Sequence, residues 1–72
     1  MYVETFAKRL KQARKKAEYT QKEVELETKI PRSTLANYET GRTQPDIETL
    51  GILADLYNIS LDWIVGTKGK NI

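Results

Sequence analysis

Apolar residues at Phe6, Leu10, Ala13 and Ala17 recur every three or four positions, with almost only charged and polar residues between them. That period matches the turn of an α-helix, so the spacing predicts an amphipathic helix over about 3–17. After Glu18 and Tyr19 comes Thr20-Gln21-Lys22-Glu23. A threonine followed three residues later by a glutamate can satisfy two orphan backbone donors reciprocally, and this capping box marks the start of a second helix. Pro31 cannot continue that helix and disfavours helical geometry at Ile30, so it ends near Thr28 or Lys29.

Pro31 also suits the opening of a third helix, where a missing N–H costs little. This helix runs from Arg32 to about Thr40 and stops at Gly41, followed by the loop Arg42-Thr43-Gln44-Pro45. Asp46 is the N-cap of a fourth helix, with Ile47, Leu50, Leu53, Ala54 and Tyr57 on one stripe and Asn58 as its end. Gly51 inside it costs about 1 kcal/mol relative to alanine unless another backbone packs close there. Ser60 caps a last short helix, Leu61 to Val65, ended by Gly66. The expected core is Phe6, Leu10, Val24, Leu35, Tyr38, Leu50, Leu53, Leu61 and Ile64. The reading is all-α with no strand pattern: one domain over 1–66 and a tail or linker start over 67–72.

With 72 residues and 8.3 kDa there is room for one small core and no second domain. Hydrophobic residues at 39%, charged residues at 31% and a mean hydropathy of -0.60 fit a globular chain and no membrane span. The stretch Met1 to Arg9 breaks into charge before an apolar core of signal-peptide length can form, so a cytoplasmic location is expected. The absence of cysteine and histidine removes disulfides, thiolate zinc and the commonest general base, so neither a metal, a cofactor nor an enzyme is expected. The net charge of +2 is unevenly spread. Lys8, Arg9, Lys11, Arg14, Lys15 and Lys16 crowd the first segment, whereas Asp46, Glu48, Asp55 and Asp62 face no basic residue between them. A polyanion could use this dipole to orient its approach, although a lysine run is also a common solvated helix face.

Two short helices joined by a tight turn at Lys29-Ile30-Pro31 form a bihelical unit whose second member can lie in a DNA major groove. Any helical bundle has such corners. The fuller pattern is Phe6-Ala7-Lys8-Arg9-Leu10-Lys11 with Arg14, Tyr19 to Glu23, Arg32 to Leu35, Tyr38 to Arg42, Pro45 to Leu50, and Ile59 to Gly66. With these residues the chain resembles the Cro/repressor-type helix-turn-helix family, also called the XRE family, from Phe6 to Gly66. The resemblance implies a five-helix lambda-repressor-like domain of bacterial or phage origin that binds double-stranded operator DNA, usually palindromic, as a homodimer, and regulates transcription, usually by repression.

By the same resemblance, the outward residues of the third helix face base edges: Arg32, Ser33, Thr34 and Asn37, with Ala36 small enough to touch a thymine methyl. Arg32 suits guanine O6 and N7, and Asn37 suits adenine N6 and N7. Gln21, at the start of the second helix, matches a phosphate contact, and Arg42, Thr43 and Gln44 are expected on the backbone across the groove. Arg14 and Glu39 match an ion pair tying the first helix to the third. Lys8, Arg9, Lys11, Lys15 and Lys16 are expected to lend diffuse attraction.

The chain departs from the family pattern at Glu25, Thr28, Lys29 and Pro31, where alanine, leucine, glycine and a serine or threonine cap are usual. Glu25 is expected to lean outward to a lysine or arginine, and Leu26 to be partly exposed. Ile52, Leu56 and Trp63 are apolar beyond one stripe and mark a candidate dimer surface. With Leu26 they also supply the alternative reading, a protein-interaction module on the same fold, such as an antitoxin or anti-regulator.

Overall fold

The computed structural model describes residues 2–65, with side chains over 6–64; Gly66 and the tail expected at 67–72 lie outside the described residues. Five helices follow in order: α1 (Tyr2–Lys16), α2 (Gln21–Thr28), α3 (Arg32–Thr40), α4 (Ile47–Tyr57) and α5 (Leu61–Val65). α1 packs against α3 and α5, α2 against α3, and α4 against α5. Each helix sends one fully buried side chain to the common centre: Leu10, Val24, Leu35, Leu53 and Ile64. Complete burial of such a side chain contributes about 1.5–3 kcal/mol, so this cluster sets how the helices sit on one another.

The ends of the helices follow from their sequence. Thr20 Oγ1 accepts from Glu23 N at 3.1 Å and Glu23 Oε1 accepts from Thr20 N at 2.8 Å, completing the capping box of α2. Asp46 accepts from Thr49 N at 2.8 Å, and Ser60 Oγ accepts from Trp63 N at 3.1 Å, starting α4 and α5. Gly41 ends α3 in the left-handed region, at φ 83°.

The residues that depart from the family pattern adopt a workable turn. Lys29 takes the left-handed conformation at φ 67°, a strained choice for a side chain with a Cβ. Thr28 Oγ1 donates to Val24 O at 2.7 Å and accepts from Ile30 N at 3.2 Å, so one hydroxyl serves both the helix end and the turn. Pro31 stands just outside α3 with φ -57° and ψ 141° and gives no side-chain cap.

Several core expectations are corrected. Ile47 is 75% exposed: it is the first residue of α4, and its Cβ leans past the helix end where nothing packs. Leu61 is 37% exposed, because five residues offer one buried side and Ile64 takes it. Tyr38 is only partly buried against the core, while Ile30 in the turn is buried with it. Glu25 is partly covered, and the ion pair expected for it is not formed among the described residues. Leu26 is far more exposed than expected, at 72%.

Candidate nucleic-acid interface

The base of the site is a charged pair set into the core. Arg14 on α1 and Glu39 on α3 are both buried. Arg14 Nε donates to Glu39 Oε2 at 2.8 Å and Nη2 donates to Oε1 at 3.1 Å, a two-pronged arrangement that fixes direction as well as distance. Arg14 Nη1 donates to Tyr19 O at 2.9 Å, anchoring the chain that leads to α2. Gln21 Nε2 donates to Glu39 Oε1 at 3.1 Å. One carboxylate thus ties α1, α2 and α3 together, and its hydrogen bond to Arg14 raises the pKa of the guanidinium. Nearby, Tyr57 Oη is buried with no hydrogen-bond partner among the described residues, and burial pushes the phenol pKa up.

Above this pair α3 presents its polar side. Arg32 and Ser33 are exposed, while Thr34, Ala36 and Asn37 are half-buried at the border of the helix face. The N-terminal end of α3 meets the start of α2 around a shallow basin of about 460 Å³ lined by Arg14, Thr20, Gln21, Lys22 and Arg32. The capping box satisfies the Thr20 and Glu23 N–H groups. Helix geometry leaves those of Gln21 and Lys22 without an intrahelical acceptor. The basin therefore combines free amide donors, the positive end of a helix and the Lys22 and Arg32 side chains, a chemistry suited to a phosphate or carboxylate. Lys22 carried no expectation; its place in the first turn beside Gln21 was the available signal.

At the other end of α3, Arg42, Thr43 and Gln44 are exposed. The Arg42 and Thr43 N–H groups fold back onto Asn37 O at 2.9 and 3.4 Å, so only their side chains are free to reach outward. The expected site residues therefore fall into three groups along one edge of the domain: Gln21 with Arg32, then Ser33, Thr34 and Asn37, then the 42–44 loop.

The candidate dimer surface does not stay together. Ile52 is 46% exposed, whereas Leu56 and Trp63 are partly buried and packed against the core. Arg9, expected only to lend diffuse attraction, stacks over the Trp63 ring at 5.5 Å and donates from Nη1 to Trp63 O at 2.6 Å. Among the described residues no group of three acidic, histidine or cysteine side chains could hold a metal, and no helix is long and apolar enough to cross a membrane.

Comparison with known proteins gives one family and several relatives. The Helix-turn-helix family model matches residues 10–64. The HTH-type transcriptional regulator ImmR of Bacillus subtilis (strain 168) is 47% identical over 62 residues, covering 86% of this chain and 49% of that protein. The uncharacterized HTH-type transcriptional regulator YobD of the same strain is 34% identical over 61 residues, covering 85% of this chain and 54% of that protein. A third, the uncharacterized HTH-type transcriptional regulator YqaE, is 32% identical over 66 residues, covering 92% and 55%. The chain spans about half the length of these curated relatives.

Proposed function

This chain belongs to the helix-turn-helix family, and from that premise we propose that it is a sequence-specific DNA-binding transcriptional regulator, acting as a repressor in the cytoplasm. The observation that carries the reading is the bracketing of α3 by anion-binding groups at both ends. With its side chains an α-helix is about 10–12 Å across, close to the roughly 12 Å width of the major groove, so α3 can enter it. With Gln21 and Lys22 of the basin at one end and Arg42, Thr43 and Gln44 at the other, each end meets a phosphate strand while Arg32, Ser33, Thr34 and Asn37 face base edges.

Roles follow from these positions. Gln21 keeps one amide hydrogen on Glu39 and turns the other outward to a phosphate, so the buried pair fixes the register of the contact. Arg32 lines the basin and reaches from there to a guanine edge. Two copies on half-sites about 34 Å apart read a palindromic operator.

The test is selection of sites from random duplex DNA, followed by binding on the winner at several salt concentrations. A preference for one sequence and a steep loss of affinity with salt are expected; equal, weak binding to every duplex overturns the regulator reading. Arg32→Ala should cost about 1–3 kcal/mol and relax preference at one base pair, whereas Arg42→Ala should weaken all sequences alike and flatten the salt slope. A uniform loss for Arg32→Ala reassigns that residue to phosphate.

A further inference from the structure

α1 and α4 each carry a charged stripe on the side turned away from the core, and the two stripes match. On α1, Lys8 and Lys15 are exposed and seven residues apart, with exposed Lys11 beside them. On α4, Glu48 and Asp55 are exposed and also seven residues apart, with Ile52 between them. Seven residues are two helical turns, so both pairs are spaced by about 10.5 Å and lie nearly in line along their helices. The described side chains of α1 include no acidic residue, and α4 contains no basic one. Between the acidic positions, a Cβ on Gly51 would meet nothing within 4 Å. This helix thus carries the entropic penalty of an interior glycine without any close approach from the described residues.

We propose that the α4 stripe is a docking surface for α1 of a second copy of this chain, with Lys8 and Lys15 paired to Asp55 and Glu48. The Lys11 stem lies over Ile52, and Gly51 lets the backbones come close. Both stripes face away from the core that the two helices share. The contact joins two unlike surfaces and is therefore head-to-tail, distinct from the paired arrangement of a palindrome. Exposed ion pairs are individually weak, so the association is on the order of millimolar in free solution. It becomes effective when copies are held side by side, as on adjacent binding sites, where the effective concentration is itself of millimolar order.

The experiment needs no DNA, so its outcome is independent of the regulator reading. Self-association of the full chain is followed by concentration-dependent NMR shifts and sedimentation, with two charge-reversed variants, K8E/K15E and E48K/D55K. All four positions are solvent-facing, and thermal melts check that both variants fold. Each variant alone should associate on the order of tenfold more weakly than the wild type. Their equimolar mixture should recover association to near the wild-type level, and high salt should abolish it. The proposal is overturned by a wild-type chain that stays monomeric throughout, by association that survives both reversals, or by a mixture that fails to recover.

Discussion

Replacing Glu39 by glutamine tests whether the buried pair is the joint on which α3 turns. In the native protein the Glu39 carboxylate accepts from Arg14 twice, at 2.8 and 3.1 Å, and from Gln21 at 3.1 Å, with Arg14 and Glu39 side chains only 10% and 2% exposed. The amide keeps the shape and one acceptor but leaves the guanidinium buried beside a neutral group. Breaking one side of a buried pair costs about 3–5 kcal/mol, and the remaining acceptor puts this change near the low end, about 3 kcal/mol. A domain of 72 residues has about 4–10 kcal/mol in total. The variant therefore still folds at room temperature but melts about 12–24 °C lower. Removing both charges, as in Arg14→Met with Glu39→Leu, should bring stability back to within about 2 kcal/mol of the wild type, because no unpaired charge is left inside. Urea unfolding of the wild type, Arg14→Met, Glu39→Leu and the double, followed by far-ultraviolet circular dichroism and Trp63 fluorescence, gives the four corners of the cycle. The reasoning is refuted if Glu39→Gln costs under about 1 kcal/mol, or if the two single changes simply add to the double.

Three further outcomes are expected. Gly51→Ala should stabilise the chain by about 0.5–1 kcal/mol in urea unfolding, because the new methyl group meets nothing within 4 Å. Tyr57→Phe should be neutral or stabilising by up to about 1 kcal/mol, since it removes a buried hydroxyl that has no partner among the described residues; a loss above that would mean the hydroxyl is bonded. Asp46 has its pKa lowered from 3.8 chiefly by its hydrogen bond to Thr49, so its capping contribution is present above that value and fades as pH falls through the folded-state value. Comparing Asp46→Asn with the wild type between about pH 5 and pH 2 should show the wild type losing its advantage at the acid end.

Much of the fold was legible in the residues because caps, stops and apolar periods agreed with one another. Thr20, Glu23, Asp46 and Ser60 all cap the helices that their positions predicted. The failures share a cause: periodicity says which side of a helix is apolar, but not where a helix ends relative to its neighbours. Ile47 and Leu61 fall on the right stripes yet sit in the first turns, beyond the reach of the core. Leu56 and Trp63 looked surplus to one stripe because the sequence does not reveal that α5 packs back onto α1. At the candidate site, residue types pointed to Gln21 and Arg32 one at a time. Their convergence on one basin with Lys22 depends on the angle between α2 and α3, which rests on the Arg14–Glu39 pair and has no local signature.

The grip of Arg9 on Trp63 has a consequence for the order in which the molecule comes apart. α5 has only five residues, well under the length at which a helix survives alone in water. It persists because Ile64 is sunk in the core and its Trp63 carbonyl is held from α1. The first and last helices therefore form one cooperative opening unit although they lie at opposite ends of the sequence. In native-state hydrogen exchange, amides of α5 should never outlast those of α1, and Arg9→Ala should speed exchange in α5 while leaving α3 slow.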